Sequence, residues 1–177
     1  LEGYLFPDTY ELRADAAIDD ALAVALEHFA DQLTEPLAAA VADAGLSVHE
    51  WVTLASMVQA EADGASEMGI IAGVFLNRLD LGMPLQSDPT VAYGLGKDLP
   101  ELSAVAGDLR VDHPWNTYTR PRLPVGPIGN PGLDALEAVL APERTREDGT
   151  PWLYFLHGVG DDGSIVFRPN VDLASHN

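Results

Sequence analysis

The spacing of apolar residues predicts a helical first half of the chain. Apolar side chains recur at intervals of three and four residues over positions 18–44, which is typical of a helix with one buried face. That face is formed by Leu22, Leu26, Phe29 and Leu33. We expect the helix to break or change direction near Pro36 and to stop at Gly45, since proline and glycine both interrupt helices.

Two more helices follow closely. Ser47 and Glu50 form a capping box, which predicts a helix start, and this second helix should end at residues 63–64, Asp-Gly. Its apolar stripe consists of Val48, Trp51, Val52, Ala55, Val58 and Ala62. A third helix is predicted over residues 66–81, with Gly82 as its stop.

Regular periodicity disappears between residues 83 and 132, where many of the prolines and glycines lie. Only residues 89–93 suggest a short helix. A long irregular stretch inside a compact domain is usually functional. We therefore treat residues 83–132 as a candidate small subdomain that carries binding residues.

The last part of the chain predicts one short helix and two strands. Residues 133–140 have helical spacing, whereas residues 152–156 and 164–167 are typical of a β-hairpin that turns through 160–163. The expected fold class is α+β, a helix-rich domain with a long Gly/Pro-rich irregular segment and a C-terminal β-hairpin. We expect residues 1–177 to form a single domain.

The charge balance narrows the range of partners. The chain has nine Lys and Arg against 28 Asp and Glu, for a net charge of −19. This excludes nucleic acid as the expected partner, because phosphate backbones are bound by clustered basic residues. Cysteine is absent and the five histidines are scattered, so neither a thiolate site nor a zinc site is expected.

Glu61 is the most informative candidate for chemistry. On the second predicted helix, Glu61 continues a row of mostly apolar side chains, which would bury its carboxyl in part. It also lies in the last turn, where the negative end of the helix dipole disfavours an anion. Partial burial and the helix end would both raise the carboxyl pKa, as a general acid of glycoside cleavage requires. The position also suits an ordinary solvated helix-end residue, and geometry alone favours that interpretation.

Six segments together resemble one known family. They are LEGYLFPDTY (1–10), ASMVQAEA (55–62), VFLNRLDLGMPLQSDPTVAYGLG (74–96), NTYTRPRLPVGPIGNPG (116–132), YFL (154–156) and DLASHN (172–177). In this order they resemble the catalytic domain of the MltG/YceG-like endolytic murein transglycosylases. The similarity extends over nearly the whole chain. Arg122 and Val125 depart from the family pattern, which implies an altered cleft shape.

The resemblance implies a lytic transglycosylase. Such an enzyme cleaves the β-1,4 bond between N-acetylmuramic acid and N-acetylglucosamine in peptidoglycan, and the muramic C6 hydroxyl attacks in place of water to leave a 1,6-anhydro end. One glutamate acts first as acid and then as base. The last acid of ASMVQAEA corresponds to it, namely Glu61, since position 59 is Gln59 here. The resemblance implies neither a metal nor an organic cofactor.

Polar residues of the irregular segment are candidates for substrate binding. Amide, hydroxyl and carboxylate groups could hydrogen-bond the sugar N-acetyl and hydroxyl groups, or could instead cap turns and the short helix. These residues are Gln86, Ser87, Asp88, Asn116, Thr117 and Tyr118. Asn130, in the proline-rich loop, is the member of that loop that we expect to meet substrate.

Arg78 has two interpretations. Its guanidinium could neutralise the muramic lactyl group or a stem-peptide carboxylate. Alternatively, it could pair with the helix dipole or with the nearby Asp80.

Two rival functions remain open from the sequence. One is a lysozyme-type muramidase in which Asp88 or Asp8 places water, and the other is a wall-binding module without chemistry. The resemblance further implies an upstream membrane anchor and a LysM-like domain absent from this chain, and a catalytic domain on the outer side of the cytoplasmic membrane. Peptidoglycan strands are the expected partner, with cell-wall synthesis proteins as candidates.

Overall fold

Helices dominate the part of the chain that the structure describes. The computed structural model describes the backbone of residues 1–159 and 165–170 and the side chains of residues 1–157. The helices are α1 (Ile18–Gln32), α2 (Glu35–Asp43), α3 (Val48–Glu61), α4 (Ala65–Asp80), α5 (Asp88–Leu95) and α6 (Leu133–Leu140). Two short 3-10 turns, Leu99–Glu101 and Asp108–Arg110, lie between α5 and α6, and the strands are β1 (Tyr154–Val159) and β2 (Ile165–Asn170).

Helix α3 lies at the centre of the core. It packs against α2, α4, α5 and α6, so its apolar residues are buried almost all round. The indole Nε1 of Trp51 donates a 2.9 Å hydrogen bond to the Leu136 carbonyl of α6. This bond satisfies the one polar atom of a side chain that is otherwise fully buried. The N-terminal part of α3 is thereby tied to α6.

The predicted helix boundaries are confirmed to within a few residues. The pattern over residues 18–44 belongs to two helices, because the chain breaks at Leu33 and Thr34 and Pro36 occupies the first turn of α2. At the start of α3, Ser47 and Glu50 form the expected reciprocal capping bonds.

The Gly/Pro-rich segment follows the core closely although it contains little regular structure. Leu85 is buried in the main apolar cluster, and Leu123 and Ile128 pack against that cluster. Helix α5 is longer than the predicted residues 89–93. It begins at Asp88 and ends before Gly96, which has the left-handed φ of 64° that suits a glycine.

Helix α4 holds the segment that leads into β1. Asn77 Nδ2 donates to the carbonyl oxygens of Arg144 (2.8 Å) and Trp152 (2.7 Å). The Arg144 guanidinium donates back to Asn77 Oδ1 and pairs with Asp80. These contacts fix the approach to β1, so that the first residues of the strand lie beside the end of α3.

Strands β1 and β2 pair antiparallel, from Tyr154 opposite Asn170 to Val159 opposite Ile165. The predicted turn at 160–163 and the segment DLASHN lie outside the described residues. Within the described part of the chain, no helix combines the length and apolar character needed to cross a bilayer. The same part contains no cluster of three or more His, Cys, Asp or Glu arranged to hold a metal ion.

Candidate active site

Glu61, the last residue of α3, lines two small cavities. The larger cavity has a volume of about 200 Å³ and is lined by Glu61, Arg78, Leu85, Gln86, Asp88, Tyr118, Phe155, Leu156 and His157. The smaller cavity, of about 170 Å³, is lined by Ala60, Glu61, Ala62, Asp63 and His157. Glu61 and His157 line both cavities.

The Glu61 carboxyl accepts a short hydrogen bond from Ser87. Ser87 Oγ donates to Glu61 Oε1 at 2.6 Å, a distance typical of a hydroxyl bound to a carboxylate. Ser87 itself is 1% exposed, whereas the carboxyl is only partly buried. One carboxyl oxygen of Glu61 is thus fixed by a buried donor. We call the larger cavity, which Glu61 lines, the cleft.

Burial raises the pKa of Glu61 to about 7, which confirms the expected direction. The Ser87 hydrogen bond opposes this effect by stabilising the anion, the charge of Asp88 raises the pKa further, and the charges of His157 and Arg78 lower it. A carboxyl with this pKa can both give and take a proton near neutral pH.

The loop before α5 presents polar groups to the cleft through an unusual backbone conformation. Gln86 has φ 54°, and it is the one residue other than glycine with a positive φ in the described part of the chain. This conformation costs about 1 kcal/mol for a residue with a Cβ. The Gln86 N–H donates to the Thr117 carbonyl (3.2 Å), and its Oε1 accepts a 3.4 Å contact from Arg78 Nη1.

Asp88 and Tyr118 form a pair at the mouth of the cleft. The Tyr118 hydroxyl donates to Asp88 Oδ1 at 2.5 Å. Burial, followed by this hydrogen bond and the charge of Asp88, raises the pKa of Tyr118 well above its ordinary value. Tyr118 is therefore a hydrogen-bond donor at all physiological pH values.

Arg78 is a buried cation of the cleft wall. Its Nε donates to the Leu153 carbonyl (2.7 Å) and its Nη1 to the Leu85 carbonyl (2.7 Å), and the guanidinium lies 4.9 Å from the centre of the Tyr154 ring. The alternative pairing of Arg78 with Asp80 is wrong, because Asp80 pairs with Arg144.

Four of the predicted binding residues lie outside the lining of the two cavities. One is Ser87, which contacts Glu61, and the other three are Asn116, Thr117 and Asn130. Asn116 is 1% exposed, and its Nδ2 donates to the Leu109 and Val111 carbonyls. Thr117 is equally buried and contacts Ser87 and Thr90. The Oδ1 of Asn130 accepts hydrogen bonds from the backbone N–H groups of Gly3 (2.8 Å) and Leu5 (3.1 Å). In all three cases the side chain completes backbone hydrogen bonding.

The start of β1 contributes residues that sequence reasoning missed. Phe155, Leu156 and His157 line the larger cavity, and His157 Nε2 lies 3.0 Å from Glu67 Oε2. Period-2 alternation could have indicated that residues 155 and 157 share a face, but the predicted strand ended one residue short of His157. Their proximity to Glu61 arises from long-range packing, which leaves no local signal.

Comparisons with known proteins identify the family of the chain. The profile of the YceG-like family matches residues 1–177. An endolytic murein transglycosylase of Bacillus subtilis is 37% identical over 178 residues, and one of Streptococcus pneumoniae strain D39 is 35% identical over 175 residues. The chain spans 46% and 30% of the length of these two relatives, which cover 100% and 97% of the chain.

A solved structure shares the fold. The crystal structure of a YceG-like protein from Listeria monocytogenes superposes with a TM-score of 0.80 at 33% identity, covering 98% of this chain and 53% of that one. Since the family profile extends over all 177 residues and relatives in three organisms are 33–37% identical to it, the chain belongs to the YceG-like family.

Proposed function

We propose that this chain is an endolytic peptidoglycan lytic transglycosylase domain with Glu61 as its acid and base. The observation that carries the proposal is that Glu61, whose pKa is about 7, lines two cavities in a chain of the YceG-like family. Two relatives bear the name endolytic murein transglycosylase. The two cavities that share Glu61 offer space for sugars, which must lie on either side of a bond that is cut within a strand.

The proposed reaction needs one carboxyl and no water. Protonated Glu61 gives its proton to the glycosidic oxygen as the bond from the muramic C1 to that oxygen breaks. The carboxylate then takes the proton of the muramic C6 hydroxyl as its oxygen bonds to C1. The products are a 1,6-anhydro-muramic end and a free N-acetylglucosamine hydroxyl, and Glu61 regains its proton.

The residues around Glu61 have proposed roles in holding the strand. Gln86 and Asp88 offer amide and carboxylate groups at the cleft surface, and Tyr118 orients Asp88. Arg78 places a positive charge in the cleft wall, which suits a lactyl or peptide carboxylate of the strand. Ser87 holds the carboxyl of Glu61 in place.

A muramidase is the second candidate function, and one observation favours it. Asp88 lines the same cavity as Glu61, so a second carboxylate is available to place water or stabilise positive charge. Asp8, the other sequence candidate, pairs with His28 and lines a different cavity, which removes it from this role. A lytic transglycosylase releases anhydro ends, whereas a muramidase releases reducing ends.

Mass spectrometry of digested peptidoglycan tests the proposal. The wild-type chain should release fragments with anhydro ends, each one water lighter than the hydrolysis product, and Glu61→Gln should release none. Asp43→Asn is the matched control, because Asp43 is the last residue of α2 and exposed, away from the cleft. Reducing ends would favour the muramidase, and glycan binding without products would favour a binding module.

The proposed activity also implies where in the cell the domain acts. Peptidoglycan lies outside the cytoplasmic membrane, so the domain would act on that side. Cuts within strands would terminate or trim nascent glycan, beside the proteins that synthesise it.

A further inference from the structure

Two buried threonines surround the backbone of Ser87. The Ser87 N–H donates to Thr117 Oγ1 at 3.0 Å, and Thr90 Oγ1 donates to the Ser87 carbonyl at 2.6 Å. The two threonine oxygens lie 2.9 Å apart. All three residues are at most 1% exposed, so water does not compete for these bonds.

The direction of each hydrogen bond follows from the number of available protons. A hydroxyl has one proton to donate. That of Thr90 goes to the Ser87 carbonyl, so Thr117 must be the donor between the two threonines. Ser87 N–H, Thr117 Oγ1, Thr90 Oγ1 and the Ser87 carbonyl therefore form a closed circuit.

The circuit leaves the Ser87 hydroxyl available for Glu61. Ser87 precedes α5 at the N-cap position, where a serine side chain ordinarily accepts a bond from the first turn of its helix. Here the Ser87 side chain forms no such capping bond. Its backbone carbonyl accepts from the N–H (3.2 Å) and hydroxyl of Thr90, and its Oγ donates to Glu61 instead.

We infer that Thr90 and Thr117 are positioning residues, which hold Ser87 so that its hydroxyl stays on the Glu61 carboxyl. This inference rests on the proposed function of Glu61 as acid and base. The strained Gln86 that precedes Ser87 supports it, since a residue with φ 54° persists only where its neighbours are firmly held. Neither threonine lines either cavity beside Glu61, so each acts through Ser87 and not on the substrate.

The test combines near-isosteric variants with a double-mutant cycle. Thr117→Val keeps the shape and removes the hydroxyl, whereas Thr117→Ser keeps the hydroxyl. Both are made in the wild-type chain and in Ser87→Ala, with Thr90→Val and Thr90→Ser as the second pair. The measurements are the Glu61 carboxyl titration by ¹³C NMR without substrate, and kcat and KM for release of anhydro ends.

Thr117→Val should lower kcat roughly 10-fold to 100-fold with little change in KM, because the carboxyl loses its fixed position. It should also raise the pKa of Glu61, and the serine variant should restore both values. In the Ser87→Ala background, Thr117→Val should alter kcat by no more than about twofold, because the Ser87 hydroxyl through which Thr117 acts has been removed.

Equal losses of kcat in both backgrounds, with the Glu61 titration unchanged, would overturn the inference. If Thr117→Val does not fold, Thr90→Val and Thr90→Ser are compared in the same two backgrounds, and the same outcomes support or overturn the inference. The NMR titration does not need turnover. A chain that releases no anhydro ends but shows the predicted change in titration would therefore contradict the proposed function and still support the positioning role.

Discussion

Ser87 Oγ lies 2.6 Å from Glu61 Oε1 and donates its proton to that oxygen. The bond favours the carboxylate, while burial of the same group favours the protonated acid. Burial has the larger effect, so the pKa of Glu61 is about 7 instead of 4.5. A residue that must give one proton and take another in a single turnover benefits from such a balance.

The first prediction concerns the pH dependence of activity. The free enzyme must carry a protonated Glu61, so kcat/KM should fall tenfold per pH unit above a pKa of about 7. Ser87→Ala should move this fall to higher pH, because it removes a group that lowers the pKa. The measurement is the initial rate of anhydro-end release across the pH range. A fall near the ordinary carboxyl pKa would contradict the prediction.

The second prediction concerns stability. The folded chain holds the Glu61 proton more tightly than the unfolded chain, so the wild type should lose stability as the pH rises from 4.5 to about 7. The Glu61→Gln variant has no carboxyl at this position, so its stability should not fall for this reason over the same pH range. Its free energy of unfolding relative to wild type should increase by at most roughly 3 kcal/mol between these pH values. Urea unfolding at both pH values checks this, and a constant difference between the two proteins would argue against a raised pKa.

The helices and the position of Glu61 could be predicted from the sequence, because both depend on local patterns. Apolar spacing and the Ser47–Glu50 capping box located α3, and the resemblance of ASMVQAEA to the family motif implied that Glu61 at its end is the acid. The lining of the cleft could not be predicted in full. His157 reaches Glu61 only through the packing of β1, which depends on residues far away in the chain.

Three predicted binding residues that lie outside the cavity lining share one physical feature. Asn116, Thr117 and Asn130 have the same side-chain groups as residues that bind sugars, but an irregular segment also needs such groups for its own backbone. Each of the three satisfies backbone groups that no helix or strand pairs. Residue type alone does not distinguish the two uses.

The third prediction follows from Asn130. Its Oδ1 holds the N–H groups of Gly3 and Leu5, so Asn130→Ala should lower the free energy of unfolding by about 1–3 kcal/mol. Asn130→Asp keeps an acceptor oxygen and should lose less. Urea unfolding measures this effect. Glycan affinity of the folded variants should match that of wild type, and weaker binding at unchanged stability would instead indicate a substrate contact.

The fourth prediction compares two glycines one turn apart on α4. A Cβ at Gly73 would overlap the backbone of Glu143 and Arg144, whereas one at Gly69 would meet only the side chain of Glu143 at 3.4 Å. Gly73→Ala should therefore lower the free energy of unfolding by about 3 kcal/mol. Gly69→Ala should be neutral or stabilising by up to about 1 kcal/mol, because alanine favours the helix.

Gly73→Ala should also lower the enzymatic activity more than Gly69→Ala does. The backbone at Arg144 leads toward β1, whose residues line the same cavity as Glu61, so a displacement by the new methyl group would reach that cavity. Thermal or urea unfolding and the rate of anhydro-end release measure the two effects. Similar behaviour of the two alanine variants would show that α4 does not depend on this close approach, and that the position of β1 is set by Asn77 and Arg78 instead.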